Sequence, residues 1–137
     1  MYPDLFLQYK KLLIQSYIGE FLKYHEIKTI WINGNFQYAY GMKVTSEEEG
    51  ILKQSDIDKE LLKELTKKGK EIIKRLTIDF GLPFLLRIDW GCCLPNSNLC
   101  RDYFVNEIEV FPAMVSSDAL DHDAFDRLSK ELLKKLK

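Results

Sequence analysis

Two short β-rich runs carry charged residues at alternate positions. Arg87 and Asp89 lie in Phe84-Leu85-Leu86-Arg87-Ile88-Asp89-Trp90, and Glu107 and Glu109 lie in the run from Tyr103 to Pro112. Side chains alternate faces along a strand, so each pair shares one face of its strand. If the two runs pair as a hairpin with those faces aligned, three carboxylates and a guanidinium converge. Clustered carboxylates resist ionising together unless a cation sits among them. Hard oxygen donors of this kind select Mg²⁺, Mn²⁺ or Ca²⁺ over softer metals. The competing reading pairs Arg87 with Asp89 or a glutamate on a solvated sheet face. The loop between the runs holds Gly91, Pro95, Asn96, Ser97 and Asn98, together with Cys92, Cys93 and Cys100. The cysteine spacing is not one used for zinc, so these read as passive loop thiols.

The same residues resemble the metal-binding end of the ATP-grasp superfamily. There an Arg-x-Asp strand is followed, after a variable loop, by a strand reading Asn-Glu-x-Asn or Glu-x-Glu and then a proline. Arg87-Ile88-Asp89, Asn106-Glu107-Ile108-Glu109 and Pro112 match that order. The resemblance implies that Asp89, Glu107 and Glu109 bind Mg²⁺, or Mn²⁺, bridging the phosphates of ATP. It implies that Arg87 stabilises charge on an acyl-phosphate or its transition state. It extends to Gln15, Ser16, Tyr17 and Ile18, which look like the hinge strand whose backbone faces the adenine. Glu26 matches a position that contacts the ribose hydroxyls, and Lys28 stands where many members have arginine. Lys43 falls where many members place a basic residue near the phosphate or the acyl substrate.

These residues need a scaffold, and the chain supplies the signals for one. Leu12 to Ile18 reads as a buried strand. Asn33-Gly34 separates two further β-rich runs, and Asn-Gly is a strong hairpin signal because both turn residues take positive φ. Phe36, Tyr38, Tyr40 and Met42 are expected on one face of the return strand. Residues 45–54, with Glu47-Glu48-Glu49-Gly50, read as an exposed loop. A helix is expected from Ser55 or Asp56 to about Gly81, with Ser55 and Asp58 approximating a capping box. Leu61, Leu62, Leu65, Ile72, Ile73 and Leu76 form its apolar stripe. Gly69 inside that stripe implies close packing against the sheet. A second amphipathic helix is expected over 118–137. The resulting order, β-β-β-α-β-β-α, predicts an α+β fold: an antiparallel sheet with two helices on one face, a two-layer sandwich. It also resembles the C-terminal lobe of the ATP-grasp fold.

With 137 residues the chain is expected to form a single domain, 1–137. A net charge of −1 argues against a nucleic-acid footprint. No apolar run is long enough for a membrane span, and an odd cysteine count fits a reducing, cytoplasmic setting. His25 and His122 read as loop and surface residues. The function the resemblance implies is ligation: a carboxylate is activated by ATP as an acyl-phosphate, then joined to an amine or thiol. A complete enzyme holds ATP between two lobes, and the length here suffices for one. The expected partners are therefore ATP and a second chain or lobe that completes the site, with self-association as a further expectation. The alternative is a non-catalytic α+β interaction module or a degenerate remnant that retains the lobe fold.

Overall fold

A computed structural model describes residues 25–44, 49–92, 103–110, 126, 129–131 and 133–134. Five strands are present: β1 (Glu26–Ile32), β2 (Asn35–Val44), β3 (Glu49–Leu52), β4 (Leu85–Cys92) and β5 (Tyr103–Val110). A 3₁₀ turn (Gln54–Asp56) and helix α1 (Lys59–Phe80) lie between β3 and β4. Residues 126, 129–131 and 133–134 are also helical, inside the segment expected to form the second helix. The strands form one antiparallel sheet in the order β3-β2-β1-β4-β5. The fold is thus α+β, an antiparallel sheet layered with helices.

β1 is the centre of the sheet, and its composition explains why. Apart from Glu26, every residue of Glu-Ile-Lys-Thr-Ile-Trp-Ile is buried. β-branched and aromatic side chains fit a pleated surface covered on both sides. The Asn33-Gly34 turn behaves as its residue types require. Both residues have positive φ, 48° and 74°, so β1 and β2 close as a two-residue hairpin. The Asn33 N–H also donates to the Phe84 carbonyl at 2.9 Å, tying this turn to the start of β4.

Helix α1 begins where Asp58 caps it, its Oδ1 accepting from the Leu61 N–H at 2.8 Å. Ser55 is not the cap: its hydroxyl donates to Asp56 within the preceding 3₁₀ turn. The helix stops at Gly81, whose φ of 82° suits glycine. Leu65, Gly69 and Ile73 are its buried positions. A Cβ on Gly69 would lie 2.3 Å from Trp31 Cζ2, so the missing side chain is the seat for the indole. This is the close packing that the glycine implies.

The α1 side of the sheet holds Ile27, Trp31, Ala39, Leu86, Ile88 and Trp90 in one core cluster with Ile57, Leu65 and Ile73. At its centre the Trp31 and Trp90 indole N–H groups both donate to Thr29 Oγ1, at 3.0 and 2.9 Å. The Thr29 hydroxyl in turn donates to the Ile88 carbonyl at 3.2 Å. Ile30, Tyr38 and Tyr40 form a second cluster, on the other side of β1 and β2, with Met42 and Leu85 against it.

Two expectations are corrected. Part of the expected exposed loop is structured: Glu49–Leu52 is strand β3, paired with Gly41 to Val44 of β2. Leu52 packs into the core cluster, and Gln54 Oε1 accepts from the Ala39 N–H at 2.7 Å, continuing the pairing beyond the end of β3. Phe36 does not share a face with Tyr38, Tyr40 and Met42. Ile30 pairs with Tyr38 but Trp31 pairs with Phe36, so Gln37 is an extra residue that resets the alternation. Phe36 consequently packs edge-on against Trp31, centroids 5.5 Å apart, on the α1 side. The strand expected over 12–18 lies outside the described residues.

Candidate functional site

Strand pairing lines up two rows across the face opposite α1. One row is Tyr40, Lys28, Asp89, Glu107, and the next is Tyr38, Ile30, Arg87, Glu109, each reading from β2 through β1 and β4 to β5. The expected alignment of the β4 and β5 faces is therefore present, and β1 adds a lysine to it.

Asp89 is the hub and is 1% exposed. Its Oδ1 accepts from Arg87 Nε at 2.7 Å, and its Oδ2 accepts from an Arg87 terminal nitrogen at 2.9 Å. Lys28 Nζ donates to the same Oδ2 at 2.5 Å and to Glu26 Oε2 at 2.6 Å. Arg87 also reaches Glu109 Oε2 at 2.6 Å, with Glu107 farther off at 3.9 Å. Lys28 and Arg87 are themselves buried. A buried charge persists only when paired and hydrogen-bonded, and this arrangement satisfies both requirements.

The electrostatics follow from that competition. Burial pushes the Lys28 ammonium toward the neutral form, but hydrogen bonds and charge from Asp89 and Glu26 outweigh it, and its pKa is raised. Burial likewise opposes the Arg87 charge, and Asp89 and Glu109 more than offset it. The Tyr38 hydroxyl is pushed well above the usual phenol range, chiefly by burial, with the Tyr40 hydroxyl adding to the rise and Arg87 opposing it. Tyr38 stays a neutral donor at every physiological pH.

The structure brings together Glu26, Arg87, Asp89, Glu107 and Glu109 from the residues singled out by sequence. Lys43 is on β2 opposite Gly50, and its side chain lies outside the described set. Gln15, Ser16, Tyr17 and Ile18 lie outside the described residues, as do Cys93, Cys100 and His122. Lys28 is a central member that the sequence left as a substituted arginine. A lysine two residues from Glu26 within an apolar strand was the available signal. Asn106 was quoted only as part of the motif. Here β5 also has an extra residue, since Asp89 pairs with Glu107 but Trp90 pairs with Val105. Asn106 is that residue, and its Nδ2 donates to Glu26 Oε1 at 2.8 Å across the sheet.

Among the described residues no group of three or more His, Cys, Asp and Glu side chains is arranged to hold an ion. Three hydrogen bonds from Lys28 and Arg87 fill most of the acceptor capacity of Asp89, which is also the least accessible carboxylate of the set. Glu107 is the most open carboxylate of the set, its side chain 57% exposed, and Glu109 follows at 30%. An open cleft of about 580 Å³, lined by Ile32, Gln37, Lys130 and Leu133 among others, includes none of the charged-row residues. No helix among the described residues is long and apolar enough to cross a membrane.

No protein-family model matches this chain, and no curated protein matches it.

Proposed function

We propose that the charged face is the Mg²⁺–nucleotide site of a lobe similar to that of the ATP-grasp ligases, completed by a second lobe or chain. The observation that carries this reading is a charge imbalance. Glu26, Asp89, Glu107 and Glu109 contribute four carboxylates, while Lys28 and Arg87 contribute two cations, which leaves two negative charges among the described side chains of the cluster. The deficit is concentrated on β5, at its least buried end. One divalent ion would balance it, and carboxylate oxygens are the donors Mg²⁺ selects.

Glu107 and Glu109 are the residues that would hold the ion, with Asp89 the least accessible of the three carboxylates. When bound, Mg²⁺ supplies neutralisation of phosphate charge. The chain's own residues do the rest. Asp89 fixes the Arg87 guanidinium through two parallel hydrogen bonds, so the cation is pre-positioned rather than mobile. Lys28, held by Glu26 and Asp89, adds a second fixed positive charge one strand away.

A second reading is favoured by the burial of Asp89 behind two paired cations and by the absence of a metal-grade cluster among the described residues. In it, the charges are structural and the chain is a non-catalytic α+β interaction module. Titration of Mg²⁺–ADP into the full chain separates the two. Under the nucleotide reading, binding is saturable, requires Mg²⁺ and weakens at least tenfold in Glu107→Gln with folding intact. Under the module reading, Glu107→Gln changes nothing and Mg²⁺ has no effect.

A further inference from the structure

Helix α1 carries seven cations and four carboxylates in a chain whose net charge is −1. The cations are not scattered. Lys59, Lys63, Lys67, Lys70 and Lys74 follow one another at spacings of three or four residues, and all five are exposed. At about 100° and 1.5 Å per residue they fall within an arc of about 80° along about 22 Å of the helix. The buried positions Leu65, Gly69 and Ile73 lie about 120° round from them. The other two cations, Lys68 and Arg75, are outside the arc and pair with Glu71 and Asp79 at 3.2 and 3.7 Å. Within the arc Lys63 approaches Glu60 at 3.6 Å, whereas Lys59, Lys67, Lys70 and Lys74 form no ion pair among the described residues.

The stripe does not end in a polar residue. One turn beyond Lys74 comes Ile78, 71% exposed, and Phe80 and Leu82, at and just past the helix end, are 83% and 51% exposed. Single exposed apolar residues are ordinary, but three large ones within 78–82, closing a row of lysines, mark an interaction surface.

We propose that this ridge docks on an anionic lipid bilayer, with the lysines against the headgroups and Ile78, Phe80 and Leu82 in the interfacial layer. Charge complementarity sets the sign of the partner, and the apolar end sets its kind. A nucleic acid offers phosphates to the lysines but no apolar layer to Ile78 and Leu82, whereas a bilayer offers both side by side. The apolar side of α1 stays packed on the sheet, so the helix lies on the membrane without inserting along its length. The nucleotide reading is not involved, because the charged rows occupy the face opposite α1.

The test is co-sedimentation of the full chain with vesicles of phosphatidylcholine, alone or with about 30% phosphatidylserine. The wild type is expected to bind only the anionic vesicles and to be released by high salt. A lysine near such a surface contributes about fivefold in affinity, so Lys67→Gln, Lys70→Gln and Lys74→Gln together should weaken binding about a hundredfold. Lys68→Gln with Arg75→Gln, outside the stripe, should weaken it by no more than about threefold at physiological salt. Phe80→Ser should weaken it about tenfold and leave the salt dependence in place. These side chains are all exposed, so the unfolding midpoint should not move in any variant. No binding to anionic vesicles, equal binding to both vesicle types, or equal losses per charge from the two sets of glutamine variants overturns the proposal. So does unchanged affinity in Phe80→Ser, because the apolar end is what selects a bilayer. Binding to a duplex oligonucleotide in place of vesicles, or salt-sensitive self-association without vesicle binding, overturns it equally.

Discussion

The two faces of the sheet solve the same problem, burying polar atoms, in opposite ways. On the α1 side one neutral hydroxyl, Thr29, serves two indole donors inside an apolar cluster. On the other side a carboxylate, Asp89, serves two full cations. β1 contributes to both, turning Thr29 one way and Lys28 the other. The neutral face is closed, since both indoles and the hydroxyl are satisfied. The charged face ends in Glu109 and Glu107, which are progressively less buried than Asp89. A closed network stabilises a fold, whereas a network with an open, unbalanced edge can also receive a ligand.

That contrast can be broken most severely at Asp89. Asp89→Asn leaves two buried cations undercompensated and is expected to cost about 3–5 kcal/mol, measured by urea unfolding. Thr29→Val leaves two indole N–H groups without an acceptor, and about 3 kcal/mol is expected from two desolvated donors. Thr29→Ser, which keeps the oxygen, should recover most of it. Gly69→Ala comes next. Helix propensity alone would stabilise by about 1 kcal/mol, but the added methyl meets Trp31, and a net loss of about 1–3 kcal/mol is expected in the same assay.

A pH titration sharpens the comparison, because the buried cations among the described residues lie on the charged face. The folded Lys28 pKa lies above the ordinary 10.5. Its contribution is therefore complete below pH 10.5 and is lost as pH rises through the folded value. Unfolding free energy should fall in that alkaline window for the wild type and fall less for Lys28→Met. Glu107→Gln should have the smallest effect on stability, within about 0.5 kcal/mol, because the side chain is largely exposed and 3.9 Å from Arg87.

The parts of this architecture that were legible in sequence are those set by local periodicity. Alternation put Arg87 and Asp89 on one face of β4 and Glu107 and Glu109 on one face of β5, and Asn33-Gly34 announced its hairpin. Gly69 announced a close approach, although not that Trp31 would fill it. What was illegible depends on long-range pairing. The β1–β4 register that delivers Lys28 to Asp89 joins residues 61 positions apart. The extra residue at Gln37 reverses the facing of Phe36 without any glycine or proline to mark it. β3 is only four residues of Glu-Gly-Ile-Leu, too short and too polar at its start to stand out from a loop. Its stability comes from Leu52 and Gln54, whose partners on β2 are visible only in three dimensions.

The extra residue at Asn106 has a consequence for colloidal behaviour. β5 is the outermost strand on its side of the described sheet, and Val105, Ile108 and Val110 are 39%, 37% and 52% exposed. A straight edge with such side chains would be a template for another chain's strand and a start for fibril growth. The irregularity at Asn106 breaks the regular hydrogen-bond spacing in mid-strand, and Glu107 and Glu109 put like charges along whatever would dock there. The carboxylates that make this edge a candidate ligand site thus also serve as its gatekeepers against aggregation.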